Sequence, residues 1–329
     1  MRPGTPDLDT LEQGVRRGER ALLGRAITLV ESHRPDHRER AQELLARLMP
    51  DTGGARRVGI TGVPGVGKST FLESLGTHLL DRNHRLAVLA IDPSSTVSGG
   101  SILGDKTRMP ELANHPRAFV RPSPSGGSLG GVARKTRETL LLLEAAGFDT
   151  VFVETVGVGQ SETMVADLVD SVLLLLSPAG GDDLQGIKRG ILERVDVLAV
   201  NKADGDHLVA ARRARRYFMA ALRVVRPTDV GWRPPVLLTS GLERSGLDDL
   251  WQALENHRGH LETGGGLERR RRAQQHRWMW SLVEDDLLDT FRRHPGVRSL
   301  LAELEPGVEA GEVPPTLAAS KLLAAFRGS

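Results

Sequence analysis

The sequence predicts an α/β fold: a mostly parallel central sheet with helices on both faces, a helical N-terminal extension and a helical C-terminal arm. Three observations lead there. From Arg57 to about His257, short apolar runs alternate with stretches of helical spacing. Several of the runs, such as Ser171–Leu176, are continuously apolar rather than alternating, as in parallel strands covered on both faces. The first run leads directly into a glycine-rich loop and then a helical stripe.

Taken in order, residues 1–55 form the helical extension. Leu22, Leu23, Ala26, Ile27 and Val30 make one stripe, and Ala41, Leu44, Leu45 and Leu48 another. Asp51 to Ala55 breaks this pattern before the first strand. The central domain, 56–258, has strand candidates at Arg57–Thr61, Leu86–Asp92, Ala118–Arg121, Thr150–Glu154, Ser171–Leu176, Val197–Asn201 and Val236–Thr239. In the arm, 259–329, Gly264-Gly265-Gly266 reads as a linker, and Trp280, Val283, Leu287 and Phe291 then share a helical face widened by Trp278 and Leu282. Such a face needs a cover, either the N-terminal helices or a second copy of the chain; a homodimer built through the arm is the expectation.

Composition narrows the function. A chain of 329 residues holds one large α/β domain with extensions. Net charge is only +2, and of 44 basic residues just six are lysine: Lys68, Lys106, Lys135, Lys188, Lys202 and Lys321. All but Lys321 fall in segments that look functional. The arginine runs Arg212–Arg216 and Arg269–Arg272 lie in helix-like stretches and read as solvated or partner-facing helix rather than as a nucleic-acid site. With no cysteine there is no disulfide, thiol nucleophile or cysteine-bound metal. With no signal peptide or membrane-length apolar span, a soluble cytoplasmic protein without membrane or nucleic-acid partners is expected.

The chemistry-bearing motif is GVPGVGKST, comprising Gly62, Val63, Pro64, Gly65, Val66, Gly67, Lys68, Ser69 and Thr70. Its backbone N–H groups and the following helix N-terminus suit phosphate, with Lys68 reaching the β- and γ-phosphates and Ser69 binding Mg²⁺. Asn201, Lys202 and Asp204 belong to an N-K-x-D sequence after a buried strand, a guanine signature. The Asp204 carboxylate can accept from the guanine ring N–H and amine, and adenine offers neither in that arrangement. After the last strand, Ser240, Gly241 and Leu242 are placed to offer a backbone N–H to the guanine carbonyl. Glu154 to Gly157 forms an acidic-x-x-Gly element that binds Mg²⁺ and senses the γ-phosphate. Val158 stands directly after Gly157, and Gln160 is the candidate water-orienting residue. Asp92 and Asp105 are further candidates for the Mg²⁺ shell beside Ser69 and Glu154; as alternatives they read as a helix cap and a turn residue. The cofactors are thus GTP or GDP and Mg²⁺, with Lys68, Asp92, Glu154, Gln160 and Lys188 as candidate catalytic residues.

The segments ITGVPGVGKST, DPSS, GGSILGDKTRM, RPSPSGGSLGGVARKTRET, VETVGVGQSE, DDLQGIKRGI and NKAD resemble the MeaB/ArgK family of P-loop GTPases. The resemblance covers the central domain and implies a P-loop NTPase fold. It also implies a GTP-hydrolysing chaperone that gates adenosylcobalamin loading and protects or reactivates a cobalamin-dependent acyl-CoA mutase, methylmalonyl-CoA mutase first among them. A related isobutyryl-CoA-type mutase is the alternative, and an adenosyltransferase is a further candidate partner. By the same resemblance Gly180 to Lys188 is an additional switch, and the arm makes the homodimer. Three other classes compete, one of them a pure binding module with no turnover, which the uncertain water-orienting residue leaves open. An ATP-using kinase or transport ATPase conflicts with N-K-x-D, and a nickel-insertion GTPase lacks the Cys/His ligands it would need.

Overall fold

In the computed structural model of the chain, which describes residues 6–32, 34–91, 108–122, 129–155, 161–178, 189–225 and 231–328, the predicted apolar runs are strands. They are β1 (Arg56–Gly62), β2 (Leu86–Ile91), β3 (Ala118–Pro122), β4 (Thr150–Thr155), β5 (Ser171–Leu176), β6 (Val197–Val200) and β7 (Val236–Leu238). All pair in parallel, in the order β3-β2-β4-β1-β5-β6-β7.

Residues two apart on a strand face the same way, and the core follows that rule. Val58, Ile60, Leu173, Leu175, Val197 and Ala199 pack with Phe71, Leu75 and Leu79 of α4 (Lys68–Asp81), Leu112 of α5 (Pro110–Asn114) and Leu250 of α6 (Leu247–Glu262). The offset set Leu174, Leu176, Leu198 and Val200 packs with Ile191 of α7 (Arg189–Leu192) and Phe218 and Leu222 of α8 (Leu208–Val225). Both faces are covered, so the strands read as continuous apolar runs.

The N-terminal helices are α1 (Leu8–Arg16), α2 (Arg20–Glu31) and α3 (Pro35–Leu48). The first is capped by Asp7, whose carboxylate accepts from the Thr10 N–H at 2.7 Å. The predicted stripes are the buried ones, with Leu23, Ala26, Ile27, Leu44 and Leu48 inside. These helices pack on one another and on α9 (Leu129–Ala145), and an ion pair between Arg121 and Glu31 (Nε to Oε1, 3.0 Å) ties α2 to β3.

The run Arg269–Arg272 corrects the sequence reading. It lies in α10 (Gly266–Arg293), which follows α6 after a 3-10 turn at Thr263–Gly265. Arg271 turns inward: its guanidinium grips the Asp170 carboxylate at 2.8 and 2.6 Å and donates to the carbonyl of Ala55 at 2.7 Å. Arg270 reaches Asp196 at 3.2 Å. Asp170 and Asp196 are buried just before β5 and β6, and a buried carboxylate needs a cationic or hydrogen-bonding partner. The run Arg212–Arg216 does stay outside, with all four arginines exposed.

By its contacts the chain divides into two units, Met1–Gln274 and Gln275–Ser329. In the second, α11 (Pro295–Glu309) packs with α12 (Pro315–Arg327), and the Phe291 ring meets Phe326 with centroids 5.3 Å apart. Trp280, Val283 and Leu287 remain 51%, 40% and 58% exposed. Among the described residues no helix is long and apolar enough to cross a membrane.

Candidate nucleotide-binding site

The sheet order sets β1 between β4 and β5, so their carboxyl ends lie side by side, where parallel α/β sheets form a ligand-binding crevice. Register aligns Gly62 with Leu175 and Ile60 with Glu154, so the glycine-rich loop leaves β1 beside the end of β4. Gly67 precedes α4 with φ +91, a left-handed conformation, and a Cβ there would lie 3.1 Å from the Asn201 amide nitrogen. The left-handed backbone favours glycine, and the close Asn201 amide leaves little room for a side chain. Pro64 and Gly65 form the exposed tip, while Val66 is buried beneath it. The Lys68 side chain is buried and its ammonium donates to the carbonyls of Gly62 at 2.7 Å and Val63 at 3.3 Å. The N–H groups of the first turn of α4 add to this anion-favouring pole.

Ser69 and Glu154 meet: the serine hydroxyl donates to Glu154 Oε1 at 3.2 Å. Glu154 is buried at the end of β4, where the Thr155 hydroxyl donates to Thr61 Oγ1 at 3.1 Å and joins β4 to β1. Two hard oxygens at this spacing fit Mg²⁺, which is ordinarily held by one or two protein oxygens together with substrate phosphates. Asp92, Asp105, Gly157, Gln160 and Lys188 lie outside the described residues, as does the rest of the Gly180–Lys188 segment.

On the guanine side, Asn201 does not face outward. Its amide donates to the Val66 carbonyl at 2.9 Å and its carbonyl accepts from the Gly241 N–H at 3.1 Å. Lys202, at φ +58, lays its stem over the loop and donates to the Gly65 carbonyl at 2.7 Å. The Asp204 carboxylate accepts from the Ser240 hydroxyl, which in turn accepts from the Glu243 N–H at 3.0 Å. A Cβ on Gly241 would come within 2.9 Å of the Phe71 Cα, so the β7 loop packs directly on α4. Leu242 is exposed beside it. The phosphate loop, the N-K-x-D loop and the Ser240–Leu242 loop thus form one hydrogen-bonded unit.

Sequence reasoning missed three supports. Ser74 donates its hydroxyl to the Gly241 carbonyl, bracing that loop from inside α4. Its signal was a polar residue set within the stripe of Phe71, Leu72, Leu75 and Leu79. The Thr61–Thr155 bond was foreshadowed only by polar residues ending two apolar runs. The third lies at the amino ends of β5 and β6: Ser171 Oγ is 2.7 Å from His257 Nδ1, and His257 Nε2 is 3.3 Å from Asp196 Oδ1. Burial, with His257 only 1% exposed, drives its pKa down to about 4 and keeps the imidazole neutral. This Ser/His/Asp set is buried away from the crevice and acts as a brace. Trp232 closes it by donating to the Asp196 carbonyl at 2.7 Å.

Comparison with known proteins agrees with this geometry. A family model described as methylmalonyl-CoA mutase-associated GTPase MeaB matches residues 23–295. The chain is 59% identical over 316 residues to a probable GTPase of Mycobacterium tuberculosis strain H37Rv, spanning 96% of this chain and 94% of that one. It is 45% identical over 330 residues to the mitochondrial methylmalonic aciduria type A homolog of Mus musculus, spanning 97% of this chain and 80% of that one. Among solved structures, a LAO/AO transport system kinase is similar with a TM-score of 0.78 at 36% identity, over 97% of each chain. With a strand, phosphate loop and helix at its centre and a family match over most of its length, the chain belongs to the MeaB family of methylmalonyl-CoA mutase-associated GTPases.

Proposed function

We propose that the protein binds GTP with Mg²⁺, hydrolyses it slowly when alone, and uses the cycle to gate adenosylcobalamin loading onto a cobalamin-dependent acyl-CoA mutase, which it protects and reactivates. Methylmalonyl-CoA mutase is the partner favoured by the family's name. The observation that carries the nucleotide half of this reading is Asn201, which holds the guanine-type loop against the phosphate loop through Val66. Lys68 would reach the β- and γ-phosphates, Ser69 and Glu154 would hold Mg²⁺ with Asp92 and Asp105, and Asp204 would read the guanine edge. The N–H of Gly241 is given to Asn201 and that of Ser240 to the Ser245 carbonyl at 3.0 Å, which leaves the Leu242 N–H for the guanine carbonyl. Gln160 and Lys188 would complete the hydrolytic and switch elements.

In this reading 56–258 is the GTPase domain, 1–55 buttresses it, and 259–329 forms the homodimer through the exposed Trp280, Val283 and Leu287 face. Mg²⁺ would neutralise charge developing on the phosphates, and the chain's own part is to orient nucleotide and exclude water. The test follows methylmalonyl-CoA mutase through prolonged turnover with adenosylcobalamin. Activity should decay more slowly when the protein and GTP are present than with either alone. Decay unaffected by the protein in its GTP, GDP and nucleotide-free forms would overturn the chaperone reading.

A further inference from the structure

Helix α8 begins one 3-10 turn, Gly205–His207, after Asp204. Its sequence LVAARRARRYFMAALRVV has five arginines and no acidic residue, lysine, serine, threonine or amide. Its apolar side is already used, since Ala211, Phe218 and Leu222 pack into the core beside β6 and β7. Outside lie Arg212, Arg213, Arg215, Arg216 and Arg223. Among the described residues none of these five makes a hydrogen bond or ion pair, whereas Arg16, Arg47, Arg57, Arg121 and Arg271 all grip carboxylates. Four like charges within five positions repel one another, a cost that an opposing surface would relieve. Beside them stand Tyr217, Met219 and Val224, 53%, 41% and 83% exposed.

We propose that this arginine face of α8 is a docking surface for an acidic face of a partner protein, the mutase if the function above holds, on which reading this proposal rests. Composition selects a protein partner. Exposed arginine interleaved with tyrosine and methionine is what protein interfaces concentrate, and the guanidinium fork matches carboxylates two bonds at a time. A membrane-bound helix would need its apolar side free, and here that side is buried. A nucleic-acid face adds serine, threonine and amide side chains to its cations for phosphate and base contacts, and α8 offers only arginine and one tyrosine, so nucleic acid is carried as a competing probe in the test. The position also matters: a partner held on α8 sits one turn from the loop that carries Asp204, so docking and nucleotide binding can influence each other reciprocally.

The experiment titrates methylmalonyl-CoA mutase with the full chain and with three variants, Arg216→Glu, Arg212→Glu/Arg216→Glu, and Arg25→Glu as an exposed arginine on α2 that matches the single variant in charge. The unaltered protein should bind, more weakly as salt rises. The α8 double variant should bind about tenfold or more weakly, with GTP affinity and melting temperature unchanged, and Arg25→Glu should bind as the unaltered protein does. Equal loss in Arg25→Glu and Arg216→Glu would mean a diffuse field, and no loss in the double variant would mean another surface; either overturns the docking face while leaving the mutase reading intact. If the unaltered protein fails to bind the mutase at any salt, the mutase reading itself falls and the proposal with it. Phosphatidylserine vesicles and a mixed-sequence RNA serve as competing probes. Binding to one of them that the double variant loses, with mutase affinity kept, would overturn the protein-partner choice.

Discussion

Asn201 is bonded to Val66, its side-chain amide donating to the backbone carbonyl at 2.9 Å across 135 positions of sequence. Through its oxygen it also holds the Gly241 N–H at 3.1 Å. One buried side chain therefore sets the distance between the loop that would take phosphates and the loops that would take the base. Asn201→Ala leaves both backbone groups without this partner, at a cost of about 1–3 kcal/mol for each group left unsatisfied. The variant should lose affinity for GTP and GDP alike, by about tenfold or more, and melt earlier. Calorimetric titration with both nucleotides checks this; unchanged affinity would show that the bond positions nothing of consequence.

Asp204 is expected to set base specificity. Sites built to hydrogen-bond a group commonly reject the analogue lacking it by about 10⁴-fold. Asp204→Asn should weaken GTP binding and favour xanthosine triphosphate, whose carbonyl replaces the exocyclic amine. Competition between the two nucleotides on the unaltered protein and the variant measures the exchange directly. A variant that keeps its preference for GTP would remove Asp204 from the base contact.

Arg271 is expected to be a major stability residue despite lying in a run of four arginines. Its removal leaves the buried Asp170 carboxylate without its guanidinium partner and the Ala55 carbonyl without a donor. Breaking such a buried pair costs about 3–5 kcal/mol. Arg272, exposed on the same helix and, among the described residues, paired with Glu268 alone at 3.3 Å, should change stability by no more than about 0.5 kcal/mol when replaced by alanine. Urea unfolding of Arg271→Ala and Arg272→Ala separates the two; equal effects would mean that the inward pairing contributes little.

His257 should make stability depend on pH. Its pKa is near 4 in the folded chain because of burial, against 6.5 for an unperturbed imidazole. Between those values the unfolded chain binds a proton that the native chain does not, so stability rises with pH through this window and levels off above it. The full difference corresponds to about 3 kcal/mol. In His257→Gln the one-proton slope between about pH 4 and 6.5 should disappear from unfolding curves measured across that range; a slope that persists would assign it to other groups.

The sheet and the phosphate loop were legible because their signals are local. A parallel strand buried on both faces must be apolar at every position, as Ser171–Leu176 shows, and a phosphate loop must carry glycine where the chain turns against a helix, as at Gly67. What escaped depends on pairs distant in sequence. Nothing around Arg271 announces Asp170, because a buried ion pair leaves no periodicity, and an arginine gripping a carboxylate reads like an arginine in water. Asn201 was legible as part of a motif, yet its task of tying Val66 to Gly241 exists only once β1, β5, β6 and β7 are assembled in order and register. His257 was hidden similarly, since its partners Ser171 and Asp196 come from the starts of two different strands.

The central claim is a guanine-nucleotide switch whose turnover answers to a mutase. Phosphate release from GTP with Mg²⁺, measured with and without methylmalonyl-CoA mutase and repeated with ATP, tests it most directly. The expected result is slow release from GTP by the protein alone, acceleration when the mutase is added, and negligible release from ATP. Partners that complete a P-loop site can raise the rate by as much as ~10³–10⁵-fold. Fast release by the protein alone that the mutase leaves unchanged, or equal use of ATP, would contradict the claim.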